Sequence, residues 1–516
     1  MIKGNREIIK SSVFVSLITA VGLIIGFFSQ VLIAYYFGTS RELDRFFVAY
    51  AFPAIFSGMA GAVFSSCLIP VVTPIKNEPE ALKKAVSMAF FFALAVSSCM
   101  ALFGFLGREF ILKATTNLSR QDLEKTVTLG GLVWMIVGIT ILTSFISSVY
   151  QLTKSFCLPA VMFLLPTTGR ILGTVIFANK LGIMALILGE MVFSILSLLI
   201  MLPIIFKYVS FPFRIEFGNI YTIHFIKAII PVGISLVPFT ILPSIDVFWA
   251  SRLAAGSISY IGYSTRIVVA LGCLVINGVY MVILPYLSED ISNNKKDEFI
   301  SRLSASIQAV LIIFIPIAIF CSFFRYDFIS VLFKRGEFTE ESVKSVGLLL
   351  PLYLFGLVGM GPTTLISRAY CAKKQFAKFG IISIVFIVIY FVLAGILSHY
   401  FSYIGIGFAY LIYWFSLFAV STLFLESKIL SSFFFTNLLK VSLYAIVSVT
   451  LSYFIVIRLL SGCVFVGLIV GFVGAGLTFT AMCYFFKVPQ VVSLTKYAYD
   501  LSFRRIIYAL RCIRES

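Results

Sequence analysis

Residues 379–400 read FGIISIVFIVIYFVLAGILSHY, and after Phe401-Ser402 the chain resumes over 403–425 with YIGIGFAYLIYWFSLFAVSTLFL. Neither run contains an Asp, Glu, Lys or Arg. At about 1.5 Å per residue, each is long enough to cross a hydrocarbon core of roughly 30 Å as a helix. Similar runs recur along all 516 residues, parted by short polar loops. Working outward from this pair predicts about 14 spans: 13–36, 46–72, 85–106, 126–151, 158–178, 182–206, 225–251, 260–287, 303–324, 344–367, 379–400, 403–425, 436–457 and 463–486. Buried backbone groups in lipid must be satisfied within the segment, and the runs lack the two-residue alternation of barrel strands, so the spans are helices.

Composition agrees. Mean hydropathy is +1.06. Charged residues make up 12% of the chain, where a soluble domain carries about 25%. The chain is therefore a polytopic membrane protein with no sizeable soluble domain. The net charge of +18 does not point to nucleic acid, because the basic residues are scattered through loops and the C-terminal tail. They follow the positive-inside rule instead. With the N-terminus inside, the larger share of the 40 Lys and Arg falls on cytoplasmic segments, among them Lys3, Arg6, Lys83, Lys84, Lys295, Lys296, Lys373 and Lys374. An even number of spans then places both termini in the cytoplasm. The first run is too long for a signal-peptide core and reads as the first span. The nine cysteines lie mostly inside spans and read as small apolar residues.

The chain repeats itself at an offset of roughly 215–220 residues. Arg108-Glu109-Phe110-Ile111 returns around Arg325–Ile329, Val149–Phe156 returns as Ala369–Phe376, and Leu68-Ile69-Pro70 returns as Ile283-Leu284-Pro285. Six spans separate the copies, so the halves share one orientation, a transporter plan with the substrate between parallel repeats. The expected architecture is all-α: an N-lobe over 1–206, a C-lobe over 207–425, and two extra helices over 426–486. The basic tail over 487–516 suits an amphipathic helix on the inner leaflet, and a frayed positive-inside tail explains it equally well.

Charges at bilayer depth are costly and usually face a bundle interior or a water-filled cavity. Arg170, Glu190, Asp246 and Arg266 fall within spans, with Asp44 and Arg252 near span ends. On the functional reading, Arg266, Arg170, Arg252 and Asp44 bind an anionic head group, and Asp246 and Glu190 serve coupling or gating. On the structural reading, Arg170 pairs with Glu190, and Asp246 pairs with Arg252 or Arg266. His224 and His399 are the only histidines and lie toward opposite faces. No metal, nucleotide or nucleophilic-triad motif is present, so no cofactor or metal is expected.

Several stretches resemble one family. Gly26-Phe27, Leu32–Gly38, Asp44–Tyr50, Pro53 and Phe64-Ser65 are similar to the opening of the MurJ (MviN) lipid II flippases, within the multidrug/oligosaccharidyl-lipid/polysaccharide exporter superfamily. Ala250–Ser259, Tyr263–Ile267, Leu332–Thr339 and Tyr370-Cys371-Ala372 resemble its second half. The resemblance implies two six-helix lobes around a central cavity, with helices 13 and 14 forming a groove for a polyprenyl tail. It also implies a transporter rather than an enzyme, in the bacterial cytoplasmic membrane, moving an undecaprenyl-diphosphate peptidoglycan precursor outward by alternating access. Its partners would be that lipid, membrane lipids and, as candidates, cell-wall synthesis proteins. By motif position Arg266 is the retained family cation, and Asp44 matches a functionally important family acid. The other family cavity arginines are replaced by Leu23, Ser29 and Ser57. That loss favours a rival reading, a flippase for another polyprenyl-linked oligosaccharide of the O-antigen or capsule type. A drug/cation antiporter would prefer an acid-lined cavity. A glycan polymerase would need longer outer loops than 107–125 and 325–343. Spans 11 and 12 contain no acid, so the sodium site reported in some family members is not expected.

Overall fold

The computed structural model describes residues 2–75, 78–153, 155–208, 220–430, 432–459, 464–486 and 488. Those residues form helices throughout. In chain order they are α1 (Ile2–Phe37), α2 (Arg41–Ala51), α3 (Pro53–Val72), α4 (Pro79–Thr115), α5 (Arg120–Leu152), α6 (Cys157–Met162), α7 (Leu165–Leu181), α8 (Met184–Met201), α9 (Ile220–Thr240), α10 (Leu242–Ala250), α11 (Ser257–Ser292), α12 (Lys296–Phe323), α13 (Arg325–Phe333), α14 (Glu340–Ala372), α15 (Phe376–Glu426), α16 (Ser432–Leu459) and α17 (Val464–Phe485). The tail over 487–516, apart from Val488, lies outside the described residues, as do Cys463 and the His224 side chain.

Eleven helices are long and apolar enough to cross a membrane, and two bent pairs bring the number to 13. In one pair Arg41–Ala51 meets Pro53–Ile69 at 45°, and in the other Val232–Thr240 meets Leu242–Ala250 at 42°. Each break precedes a proline at the first or second position of the next helix, where the missing N–H is tolerated. The expected 14 spans exceed this number, because Ala377–Leu430 counts there once. A straight helix of the 51 residues of α15 would run about 75 Å, more than twice the hydrocarbon thickness. It is not straight. Ser402 takes φ 53° and ψ −142°, and a Cβ on Gly405 would lie 2.1 Å from the Leu397 carbonyl oxygen. The helix therefore breaks there, between the two charge-free runs.

The chain divides into two compact units. The first comprises Met1–Arg266, Phe333–Val346 and Ser383–Ile406. Its core is built from α3, α4, α5 and the start of α9, where Phe64 packs on Phe145 and Phe225 and Trp134 closes over Gly104. Within it, α7 and α8 approach backbone to backbone: a Cβ at Gly169 would meet the Gly189 oxygen at 2.3 Å, and one at Gly173 the Ala185 oxygen at 2.4 Å. Small residues of this kind allow close helix contact where the solvent is lipid and packing must supply the attraction.

The second unit comprises Ile267–Leu332, Gly347–Ile382 and Gly407–Ser516. Tyr353 stacks on Tyr410 at 4.4 Å, and Tyr370 donates to the Ser421 carbonyl at 2.8 Å. On the same unit, α16 and α17 pack against α12 through pairs such as Phe320 with Phe472.

Candidate functional site: a latched junction and a cation cluster

Three segments of the first unit meet at a junction. Gly38, at φ +52°, ends α1, and Gly336, at φ +58°, turns the loop before α14. Only residues without a Cβ fit these places: one added at Gly38 would lie 2.2 Å from the Glu337 carbonyl oxygen, and one at Gly336 2.2 Å from the Tyr35 oxygen. The Glu337 N–H donates to the Tyr35 carbonyl at 3.0 Å, the Tyr263 hydroxyl donates to the Gly38 carbonyl at 2.8 Å, and the Thr39 and Ser342 hydroxyls lie 2.8 Å apart.

Asp44 completes the junction. It sits in the first turn of α2, whose N-cap Ser40 accepts from the Leu43 N–H. Its carboxylate is buried. Oδ2 accepts from the Gly256 N–H at 2.6 Å, and Oδ1 accepts from the Ser259 N–H at 2.8 Å and the Ser259 hydroxyl at 2.5 Å. Two of these donors are backbone groups at the start of α11, where the first N–H groups have no partner in their own helix. A carboxylate there also meets the positive end of the helix dipole. Asp44 is thus a cap supplied from another helix. Both of its oxygens are engaged by α11 in this state.

Two turns further along the same face of α11 stands Arg266, about 10 Å from Ser259 along the helix axis. Close approach of α2 and α11 depends on Gly262, where a Cβ would meet the Phe47 ring at 2.7 Å. Arg266 lies 5.9 Å from the Phe47 ring centroid. It is exposed, and makes no hydrogen bond or ion pair among the described residues. Beside it, the Arg170 guanidinium donates to Glu190 Oε2 through Nε at 2.9 Å and a terminal nitrogen at 2.6 Å. The Tyr50 hydroxyl donates to the same oxygen at 2.6 Å. The Phe46 and Tyr50 rings flank the Arg170 guanidinium, each at 5.9 Å. Two cations and one carboxylate leave the cluster net positive, and the Arg266 donors are free for an oxyanion. A guanidinium suits this task because it keeps its charge in a poorly solvated place and can grip phosphate with two parallel N–H groups.

The structure thus places Arg170 with Glu190, one of the two pairings read from the sequence. Among the described residues no salt bridge joins Asp246 to Arg252 or Arg266. Asp246, buried on α10, accepts a short hydrogen bond from Tyr390 of α15, while Arg252 lies 3.8 Å over the Phe248 ring and donates to the Phe248 carbonyl. Neither Arg252 nor Arg266 forms a salt bridge among the described residues. At the positions where the family arginines are missing, the Ser29 hydroxyl is buried without a hydrogen-bond partner and Ser57 donates to the Ala54 carbonyl at 3.3 Å. Sequence reading missed Tyr50, Ser259, Tyr263 and Tyr390. A lone hydroxyl in an aromatic-rich helix carries no periodic signal, and its role appears only once its partner is in reach.

A family model described as lipid II flippase MurJ matches residues 33–492. Among curated relatives, the lipid II flippase MurJ of Burkholderia cenocepacia is 26% identical over 381 residues, covering 70% of this chain and 72% of that one. The probable lipid II flippase MurJ of Thermotoga maritima is 28% identical over 379 residues, covering 71% and 75%. Among solved structures, a lipid II flippase MurJ in an inward closed conformation superposes with a TM-score of 0.79 at 22% identity, covering 92% of this chain and 99% of the other. An inward-facing multidrug resistance MATE family transporter of the MOP superfamily gives a TM-score of 0.67 at 14% identity, covering 78% and 94%. These two likenesses speak for the fold.

Proposed function

The chain belongs to the lipid II flippase MurJ family, and on that premise we propose that it carries an undecaprenyl-diphosphate-linked peptidoglycan precursor of the lipid II type across the bacterial cytoplasmic membrane by alternating access. The observation that carries this reading is Arg266: a guanidinium at bilayer depth, without an ionic or hydrogen-bonded partner among the described residues, next to the Arg170–Glu190–Tyr50 cluster. A cation left unpaired at bilayer depth is costly even where it faces a cavity, so its retention supports a ligand that supplies the counter-charge during transport. Arg266 engages the diphosphate. Arg170, held by Glu190, adds positive potential without being spent on the ligand. Glu190 and Asp246 serve coupling through the tyrosines that bond them. Asp44 acts in gating, holding the junction shut on one side of the membrane.

The lysine and arginine asymmetry supports cytoplasmic termini, which puts the Asp44 junction on the outward side. The latched state described here is then the one that loads from the cytoplasm. The lobes over 1–206 and 207–425, with helices over 426–486 receiving the prenyl tail, belong to the same proposal. The uncharged Leu23, Ser29 and Ser57 favour a second reading, in which the head group is another polyprenyl-linked oligosaccharide. Expression in a strain depleted of its own lipid II flippase separates the two. Rescue of growth supports lipid II. Failure there, together with rescue of a strain lacking an O-antigen or capsule flippase, replaces it with the second reading.

A further inference from the structure

We infer that the first unit holds a binding site for an anionic phospholipid, distinct from the Arg266 cluster and independent of which lipid the protein transports. A cavity of about 340 Å³ lies among the α2–α3 break, the ends of α4 and α5 nearest the 116–119 loop, α10 and the first half of α15. That size falls in the range of small-molecule pockets. Its wall is almost wholly hydrocarbon and aromatic, with Phe52, Trp134, Phe248 and Phe391 among the lining rings.

The hydroxyls in the wall are already committed. Thr115 donates to the Ile111 carbonyl, Thr116 to the Leu112 carbonyl and Ser244 to the Ala51 carbonyl, at 2.6–2.7 Å. Among the lining side chains only Arg108 and the Trp134 indole N–H are left to meet a ligand, so the occupant of the interior is mainly a hydrocarbon chain. On the same helix as Arg108, Phe103, Leu106 and Phe110 are heavily exposed, as residues facing lipid are.

Two guanidiniums mark the head-group end. Arg108 lines the cavity, stacked 4.2 Å from its own Phe105 ring and bonded only to the Phe105 carbonyl. Arg252 stands over Phe248, a wall residue, and is bonded only to the Phe248 carbonyl. The Asn117 N–H donates to Ser251 Oγ at 3.1 Å, which ties the loop above Thr116 to the residue preceding Arg252. No acid lines the cavity. Glu109 is paired with Lys113 and Asp122 with Arg45, each at 2.6 Å, and Asp246, six residues before Arg252, accepts from Tyr390. Two guanidiniums without a salt bridge among the described residues attract a phosphodiester and repel the ammonium of a zwitterionic head group. The chemistry therefore selects an anionic phospholipid of the leaflet on the 116–119 side, with one chain inside and its phosphate between Arg108 and Arg252.

Trp134 lines the cavity and reports on it. The test uses the full chain with Trp249→Phe and Trp414→Phe, in phosphatidylcholine nanodiscs containing a minor fraction of chain-brominated lipid. Brominated phosphatidylglycerol should quench Trp134 with about tenfold preference over brominated phosphatidylcholine, the effect of one charge-assisted hydrogen bond. Arg108→Gln with Arg252→Gln should abolish the preference while leaving emission in unbrominated discs unchanged. Val388→Phe, which fills the cavity and keeps both arginines, should abolish the quenching itself. Equal quenching by both lipids in the parent, or an undiminished preference in the double variant, overturns the site. Release of the quenching by equimolar undecaprenyl phosphate also overturns it, assigning the cavity to the transported lipid's tail instead.

Discussion

Replacing Asp44 with Asn tests the junction while changing almost no volume. The native carboxylate accepts from the Gly256 N–H, the Ser259 N–H and the Ser259 hydroxyl. An amide keeps one acceptor oxygen and turns an NH2 group toward the other donor. One buried N–H loses its partner, at about 1–3 kcal/mol, and the interaction of a full negative charge with the start of α11 is lost, at about 0.3–2 kcal/mol. The latched state should therefore weaken by roughly 2–4 kcal/mol, which multiplies its opening constant by about 30 to 1000. Ser342 is 2% exposed and its hydroxyl lies against Thr39, so a cysteine there reacts only when the junction opens. In a background without native cysteines, the rate of Ser342→Cys labelling by a maleimide should rise by that factor in Asp44→Asn. A rate within threefold of the parent's would refute the latch. Transport should fall as well, because a junction that does not stay shut leaks the alternation.

Arg266→Ala should abolish transport in the depletion strain while the protein stays folded and inserted, and Arg266→Lys should lose most activity. Loss of one charge-assisted contact of roughly 1.5–3 kcal/mol weakens head-group binding by about tenfold or more; an active Arg266→Ala protein sinks the role. Adding Asp246→Ala should not restore function, because Asp246 bonds Tyr390; an active double variant would mean that the two charges only neutralise each other. Glu190→Gln leaves Arg170 without its counter-charge and should destabilise the protein by about 3–5 kcal/mol, read as a lowered melting temperature in detergent, and an unchanged melting point would count against the buried pair. A cysteine at the exposed Thr339 should react with a membrane-impermeant reagent from outside intact cells, and reaction only from the cytoplasmic side would invert the topology.

The class of this molecule was legible from single runs such as 379–400 and 403–425. Apolar length is a local property, and the backbone's need for internal hydrogen bonds in lipid leaves helices as the solution. The Arg170–Glu190 pairing was also readable, because the two residues sit on consecutive spans joined by a short turn. Local pattern could not show that Asp44 reaches Gly256 and Ser259, more than 200 residues away. A carboxylate beside an arginine at a helix start reads the same whether it meets a ligand, an ion or another helix's N–H groups. The same holds for Asp246, which the sequence offered to two arginines and the packing of α10 on α15 gave to Tyr390. Likewise, Gly38, Gly262 and Gly336 look like ordinary glycines until the fold brings another backbone or ring to within 3 Å of where a Cβ would stand. The membrane's thickness wrote the spans into the sequence, but which polar groups share a partner depends on contacts between distant segments, and those exist only once the helices have packed.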